Sequence, residues 1–319
     1  MKKILGNFLK ILLGLILLIA GLIATQYHGD KTVDELKAMY ANEESEFIRV
    51  KGMDIHYRDE GQGPVLLLLH GTGASLHTWD AWVEEMQQDF RVLRLDMPAY
   101  GLTGPHPDQK YEPEDYVEVI HDFLLKLGVD SLFIGGNSFG GNISWHYAYE
   151  HPERVKKMIL VDASGFPQET IPSVIRLARN PMLKGIMRWV TPKFFIRNRL
   201  KEVYAQKDRI TDETVDRYFD LQLREGNRQA FIDRAAGAFS VQTGLLKTIT
   251  VPTLIMWGEK DTWIPLDHAY KFNEYLVNSQ IITYPDGGHI PMEELPLQTA
   301  VDAKDFLRGG EGSDVPELN

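Results

Sequence analysis

Two hydrophobic patterns alternate along most of the chain. Several apolar runs are continuous, as at residues 65–69 and 254–257, and such runs are typical of strands buried on both faces. Segments with helical periodicity separate them, which predicts one largely parallel sheet covered by helices. The predicted strands cover residues 47–50, 53–58, 65–69, 92–96, 132–135, 158–162, 253–257 and 281–284. The predicted helices of the core cover residues 79–88, 113–127, 139–150, 266–277 and 295–307.

The alternation is interrupted once, and this interruption defines the predicted domains. Residues 168–246 show helical patterns only, which indicates a helical cap inserted into a core formed by residues 45–167 and 247–308. Residues 26–44 form a linker with a short helix, opened by the capping-box residues Thr32 and Glu35. The Gly- and acid-rich tail at 309–319 is expected to be loose.

The first 25 residues differ from the rest of the chain. They contain Lys2, Lys3 and Lys10 but no acid, and residues 4–24 are otherwise apolar except for Asn7. As a helix this stretch is ~31 Å long, close to the thickness of a bilayer core. We predict a membrane helix, with a cleaved signal segment as the second choice because no suitable pair of small residues follows. The lysines then place the catalytic part on the extracytoplasmic side, periplasmic or extracellular.

Composition excludes several classes of chemistry. The chain has no cysteine, so a disulfide framework, a thiolate nucleophile and Cys-ligated metal centres are excluded. Its 34 Lys+Arg against 45 Asp+Glu give a formal net charge of −11, which argues against nucleic acid as a partner. There is no phosphate-binding P-loop and no H-E-x-x-H zinc motif. The predicted chemistry needs neither a cofactor nor a metal.

A serine stands in the G-x-S-x-G pattern between a predicted strand and a predicted helix. The segment GNSFGG at 136–141 places Ser138 on the sharp turn of a nucleophile elbow, where glycines leave space around it. The following helix directs its N-terminal dipole at charge that develops near the hydroxyl. This context predicts that Ser138 is a nucleophile.

A serine hydroxyl needs a base, and the base needs an orienting acid. His289 lies in a glycine-supported loop after the last predicted strand and is the candidate base. Asp261 directly follows a buried strand, at the end where α/β sheets place their sites, and is the candidate acid. Glu259 in the same loop and Asp162 after the sixth strand are the competing acids.

The tetrahedral intermediate of acyl transfer needs backbone N–H donors for its oxyanion. The residue after the nucleophile, Phe139, is one candidate donor. The other is expected in the loop after the third strand, where Thr72 is preferred and Gly73 is the second choice.

With these residues in place, the chain resembles the α/β-hydrolase fold superfamily over residues 45–308. The resemblance implies Ser138, Asp261 and His289 as the catalytic triad, and Thr72 and Phe139 as oxyanion donors. One departure is Ala99, where many relatives have glycine. The matching motifs, in chain order, are HGTG at 70–73, DMPAYG at 96–101, GNSFGG at 136–141, VDASG at 161–165, GEKD at 258–261 and GHIP at 288–291.

The resemblance implies a serine hydrolase but leaves the bond type open. Ser138 argues against the dehalogenases and epoxide hydrolases of the superfamily, which use aspartate at this position. Carboxylic ester hydrolysis is our leading prediction, with a small, apolar ester or other acyl substrate. Carbon–carbon bond hydrolysis of ring-cleavage products is the alternative, and Ile290 disfavours it because those enzymes commonly place tryptophan there. A non-catalytic ligand-binding protein on the same fold is the third possibility.

The first part of the predicted cap is strongly basic. Apolar residues are interleaved with these positive charges, and no acid occurs between residues 173 and 201. We consider three interpretations, namely a solvated helix face, a surface that rests on an anionic membrane, and electrostatic guidance of an acidic substrate. The eight basic residues are Arg176, Arg179, Lys184, Arg188, Lys193, Arg197, Arg199 and Lys201.

Overall fold

A computed structural model describes residues 2–168, 171–237 and 242–309. Its central feature is one eight-stranded sheet with the strand order β1-β2-β4-β3-β5-β6-β7-β8. The strands are β1 Ser45–Val50, β2 Met53–Glu60, β3 Val65–Leu69, β4 Arg91–Leu95, β5 Leu132–Asn137, β6 Val155–Val161, β7 Thr253–Gly258 and β8 Ser279–Tyr284. The sequence-based prediction of eight strands is thereby confirmed.

The sheet is mixed but mostly parallel, as predicted. β2 pairs antiparallel with both β1 and β4, and every other neighbouring pair is parallel. The central strand β3 shows why its sequence is a continuous apolar run, since four of its five residues are completely buried. Because β3 to β8 are parallel, their carboxyl ends meet at one edge of the sheet, where α/β folds place their sites.

Thirteen α-helices lie in the described part of the chain. Within the core, α3 packs against α13, and α4 packs against α5. The segment between β6 and β7 contains α6 to α10 and no strand among its described residues. The helices are α1 Lys2–Thr25, α2 Val33–Tyr40, α3 Asp80–Met86, α4 Pro113–Lys126, α5 Phe139–Glu150, α6 Ser173–Arg179, α7 Lys184–Met187, α8 Lys193–Val203, α9 Asp212–Gln222, α10 Asn227–Ala236, α11 Asp267–Tyr275, α12 Pro291–Glu294 and α13 Pro296–Arg308.

The N-terminal region forms two helices. The capping box that opens α2 is confirmed, since the Thr32 hydroxyl accepts from the Glu35 N–H and the Glu35 carboxylate accepts from the Thr32 N–H. α1 forms where the sequence predicts a membrane helix. However, no helix within the described residues combines the length and apolar character needed to cross a membrane. The predicted loose tail lies outside the described residues, apart from Gly309.

Candidate active site

Ser138 occupies a strained turn between β5 and α5. Its φ is +54° and its ψ is −114°, a backbone conformation that residues other than glycine rarely adopt. The turn is tight enough that a Cβ at Gly136 or Gly140 would overlap neighbouring backbone atoms. The two glycines of the motif are therefore required by close backbone approach, which is the local geometry predicted from G-x-S-x-G.

His289 and Asp261 form a buried hydrogen-bonded pair. His289 Nδ1 lies 2.7 Å from an Asp261 carboxylate oxygen, and the other carboxylate oxygen accepts from the N–H groups of Trp263 at 2.7 Å and Ile264 at 3.0 Å. These two backbone donors fix the carboxylate, which in turn orients the imidazole ring. His289 Nε2 is buried and has no hydrogen-bond partner among the described residues.

Ser138 and His289 line the same small cavity, of about 30 Å³, together with Thr72 and Asn137. The imidazole nitrogen without a partner therefore belongs to the residue that shares a cavity with the strained serine. The competing acid Glu259 is exposed and accepts from the Thr283 hydroxyl at the end of β8 instead. The structure brings Ser138, Asp261 and His289 together, and their catalytic roles stay a prediction.

Four hydrogen bonds that sequence reasoning missed position the loop around His289. The Asn137 side-chain amide donates to the carbonyl oxygens of His289 at 2.9 Å and Val161 at 3.1 Å, which links the loop to β6. The His289 N–H donates to the Val203 carbonyl oxygen at the end of α8, at 2.8 Å. The buried Glu294 carboxylate accepts from Gly288 N–H at 2.8 Å. Asn137 adjoins Ser138 in the motif, but no sequence pattern indicated Glu294.

Asp162 lies beside this group in an unusual electrostatic environment. It is completely buried, and one oxygen accepts from the Gly258 N–H at 3.0 Å, while the other has no hydrogen-bond partner among the residues described. Burial raises the pKa of the Asp162 carboxyl well above its usual range, and the nearby Asp261 carboxylate raises it further. The protonated form of Asp162 is therefore favoured beside the carboxyl group that pairs with His289.

The expected oxyanion loop lies against the serine. A Cβ at Gly71 would stand 3.2 Å from the Ser138 Cβ, so the loop after β3 passes directly over the nucleophile. Thr72 lines both the small cavity and a larger one that also contains Ser138 and Phe139. This placement suits the two predicted backbone donors, Thr72 and Phe139, whose role in binding an oxyanion stays a prediction.

His70 supports the same loop from below. It is completely buried, and burial lowers its pKa, so the ring is neutral. Its Nε2 accepts from the Met97 N–H at 3.0 Å, which leaves Nδ1 as the donor to the Gly71 carbonyl oxygen at 2.8 Å. The histidine of the H-G-T-G motif therefore has a structural function, holding the loop in place next to Ser138.

The larger cavity has a volume of about 510 Å³ and lies between the core and the helical segment that follows β6. Its wall is mostly apolar and includes Trp145, Phe166 and Ile175. Arg179 and Arg234 are the two charged side chains of its described lining, and the Arg234 guanidinium lies 3.8 Å from the centroid of the Phe139 ring. An apolar group and a polar or negatively charged group can thus be bound in one cavity.

Asp162, Asp261 and His289 also have the composition of a metal site, since their ligand atoms lie within 4.8 Å of one another. The geometry does not favour a metal ion. His289 Nδ1 and the facing Asp261 oxygen are already hydrogen-bonded to each other, and burial raises the pKa of the Asp162 carboxyl. The hydrogen-bonded pair of His289 and Asp261 has instead the arrangement of an acid that orients a base.

The fold and the arrangement of the site together are those of an α/β hydrolase. A family model described as the α/β hydrolase fold matches residues 64–296, which contain all three residues of the predicted triad. The chain belongs to the α/β-hydrolase fold family.

Curated relatives include enzymes with two kinds of reaction. Lipase 3 of a Moraxella species is 27% identical over 265 residues, which cover 79% of each chain. The 2-hydroxy-6-oxo-6-(2'-aminophenyl)hexa-2,4-dienoic acid hydrolase of Metapseudomonas resinovorans is 25% identical over 286 residues, covering 85% of this chain and 95% of the relative. The crystal structure of a bacterial membrane phospholipase A is similar with a TM-score of 0.73 and 24% identity, covering 97% of this chain and 99% of that one. The last match shows the shared fold.

Proposed function

We propose that this protein is a serine hydrolase that cleaves carboxylic esters through an acyl-enzyme on Ser138. The observation that carries the proposal is that only one of the two ring nitrogens of His289 has a hydrogen-bond partner among the described residues. Nδ1 is bound to Asp261 at 2.7 Å, whereas Nε2 has no partner among the described residues and belongs to a ring that shares a cavity with Ser138. A base must have this free nitrogen to take the serine proton.

The proposed reaction has two halves. The Ser138 Oγ attacks the ester carbonyl carbon, and its proton passes to His289 Nε2, while the backbone N–H groups of Thr72 and Phe139 stabilise the oxyanion. The protonated His289 then gives that proton to the departing alcohol, which leaves the acyl group on Ser138. A water molecule, deprotonated by His289, attacks the acyl-enzyme, and the proton returns to Ser138 as the acid leaves. Asp261 stabilises the imidazolium form of His289 in both halves.

The cavity supports an ester with an apolar acyl group. Trp145, Phe166 and Ile175 provide apolar wall, and Arg179 and Arg234 provide positive charge for a polar or acidic second group. Esters of this kind are amphiphilic, and two of the similar proteins are a lipase and a membrane phospholipase A. We therefore propose an amphiphilic ester as the substrate class. The extracytoplasmic location derived from the N-terminal lysines stays a prediction.

The direct test is covalent labelling with a fluorophosphonate probe, followed by peptide mapping. We expect one modified residue, Ser138, and no labelling of Ser138→Ala. Ser45→Ala is the matched control, because Ser45 also contacts a histidine that is paired with an aspartate, and it should be labelled like the wild type. Folded wild-type protein that is not labelled would contradict the hydrolase proposal and favour a ligand-binding protein on this fold.

Carbon–carbon bond hydrolysis is the second candidate, because a dienoic acid hydrolase aligns over 95% of its own length. Both reactions use the same three residues, so labelling does not separate them. The separating measurement compares turnover of p-nitrophenyl esters with turnover of a ring-cleavage dienone, followed by loss of its visible absorbance. Ester turnover that greatly exceeds dienone turnover supports the leading proposal, and the reverse result would replace it.

A further inference from the structure

The region around α7 and the start of α8 exposes a concentrated group of large apolar side chains. We call this group the cap surface, and its members lie within fourteen residues of one another. Elsewhere in the described part of the chain, outside α1, exposed large apolar side chains are scattered. The cap surface consists of Met182, Leu183, Ile186, Trp189, Phe194 and Phe195.

The exposure of these side chains is substantial. Met182 is 84% exposed, Trp189 is 48% exposed, and the rings of Phe194 and Phe195 lie 4.5 Å apart. A patch of this kind on a folded protein normally marks a surface that binds something apolar. Tryptophan and phenylalanine beside basic residues are typical of contact with the interface of a membrane.

Positive charge accompanies the apolar side chains. Lys184 and Arg188 lie within the cap surface, and neither forms an ion pair with any carboxylate of the described residues. Arg188 instead covers the Trp189 ring, with its guanidinium carbon 5.1 Å from a ring centroid. Lys193 and Arg197 at the border are paired with Asp216 and Asp212 of α9. The tip of the surface thus has uncompensated positive charge, which complements an anionic bilayer.

The end of helix α1 lies next to the cap surface. Tyr27, just after α1, forms an antiparallel β-bridge with Val190, which brings the end of α1 to the same place. α1 itself exposes many leucine and isoleucine side chains, such as Leu5, Leu9 and Leu13. The end of the apolar helix α1 therefore lies at the cap surface.

An apolar cavity of about 570 Å³ opens at the cap surface. Leu183, Ile186 and Phe195 line it and are also partly exposed, so they form part of its mouth. The buried Arg199 also lines this cavity, and it lines the small cavity of Ser138 and His289 as well. An acyl chain that leaves a bilayer at the cap surface would enter a cavity adjacent to the candidate active site.

We propose that the cap surface docks on an anionic phospholipid bilayer, with Trp189 at the lipid interface. The proposal concerns binding and does not require the hydrolytic function. Its test uses the fluorescence of Trp189, which is suited to it because the other five tryptophans of the chain are buried. A fluorescence result is thus independent of whether Ser138 proves to be a nucleophile.

The experiment uses the full chain with vesicles of phosphatidylcholine and phosphatidylglycerol, some with brominated acyl chains. We expect a shift of tryptophan emission to shorter wavelength and strong quenching by the brominated lipid, both lost in Trp189→Phe. Leu125→Trp in that background is the control, because Leu125 is exposed near the end of α4, at the opposite edge of the sheet from the cap. A tryptophan there should not be quenched.

Charge variants then separate docking of the cap surface from adhesion by α1 alone. Lys184→Glu with Arg188→Glu should reduce quenching of Trp189 several-fold, while the matched pair Lys126→Glu with Lys156→Glu, at the far edge of the sheet, should not. Unquenched Trp189 in vesicle-bound protein would overturn the proposal. An emission shift that depends on protein concentration without vesicles would also overturn it and assign the surface to a second copy of the chain.

Discussion

The molecule contains two groups of serine, histidine and aspartate, and their histidine–aspartate pairs are nearly identical. In one group, His56 Nδ1 lies 2.7 Å from Asp96, which also accepts from the N–H groups of Leu76 and Leu102. In the other group, His289 Nδ1 lies 2.7 Å from Asp261, which likewise accepts from two backbone N–H groups. The nature of the pair therefore does not distinguish a structural site from a candidate catalytic one.

The difference lies on the serine side of each histidine. His56 Nε2 is 3.0 Å from the Ser45 hydroxyl, which also accepts from Asn42 N–H at 3.1 Å and from Arg58 Nε at 3.2 Å. Ser45 lies in the regular strand β1, and neither large cavity is lined by this group. His289 Nε2 has no partner among the described residues, and Ser138 is strained and lines a cavity. The reactivity proposed for Ser138 thus rests on a histidine nitrogen without a partner among the described residues, a strained serine and space for a substrate.

Replacing each of the two aspartates by asparagine tests this difference most directly. Asp261→Asn should lower kcat for a p-nitrophenyl ester by about 10⁴-fold, because His289 loses the acceptor that fixes its tautomer. Asp96→Asn should leave kcat nearly unchanged, since His56 touches no substrate cavity. Steady-state kinetics on both purified variants measure this directly. Similar losses in the two variants would contradict the assignment of His289 as the base.

The second prediction concerns stability, for which we expect Asp96 to matter more than Asp261. Asp96→Ala leaves two backbone N–H groups and His56 without an acceptor in a completely buried place, and should cost about 3–5 kcal/mol of unfolding free energy. Asp261→Ala should cost less, because removing that carboxylate also lowers the pKa of Asp162 and so reduces the cost of burying the Asp162 carboxyl. Urea denaturation of the two variants provides the comparison, and a larger loss for Asp261→Ala would refute it.

The stability provided by Asp96 should also depend on pH. Complete burial alone would raise the pKa of Asp96. The neighbouring His56 is the main cause that holds this pKa below its usual range instead. A carboxyl with a lowered pKa stabilises the fold above the pKa it has in the unfolded chain, about 4, and loses that contribution as the pH falls further. The difference in unfolding free energy between wild type and Asp96→Ala should therefore narrow below pH 4. A constant gap would show that Asp96 is not ionised.

Much of the fold and of the candidate site could be predicted from the sequence, for definable reasons. The continuous apolar run of β3 reports burial on both faces, and burial of this kind depends mainly on local sequence. The turn at Ser138 depends on glycines at fixed positions, which are also local. Asp261 and His289 each follow a strand of the same parallel sheet, so topology alone brings them to one edge.

What could not be predicted depends on contacts between distant segments. Glu294 supports the His289 loop only because α12 places its carboxylate next to Gly288, and no sequence motif predicts this contact. The group of Ser45, His56 and Asp96 was missed because an antiparallel pairing of β1 with β2 brings Ser45 and His56 together. The raised pKa of Asp162 follows from full burial and from the nearness of Asp261, and neither can be read from the sequence alone.

The fourth prediction tests whether the pKa of Asp162 is raised in the folded protein. Its raised pKa means that the folded protein keeps a proton that the unfolded chain releases near pH 4, so Asp162 destabilises the fold increasingly as the pH rises above that value. Asp162→Asn does not titrate, and its stability relative to wild type should rise between pH 4.5 and 7.5 by at most about 1.4 kcal/mol per pH unit. Urea denaturation at both pH values measures it. Parallel changes in the two proteins would show that Asp162 is ionised.

The smallest predicted effect contrasts the two serines through their backbones. Ser138 has a φ of +54°, which glycine adopts without strain, so Ser138→Gly should be more stable than Ser138→Ala by about 1 kcal/mol. Ser45 lies in a regular strand, where glycine loses more conformational entropy on folding, so Ser45→Gly should be less stable than Ser45→Ala by about 0.5–1 kcal/mol. Comparing each glycine variant with its alanine counterpart removes the contribution of the hydroxyl. Urea midpoints that shift in the same direction at both positions would show that Ser138 is unstrained, and the strongest structural distinction between the two groups would be lost.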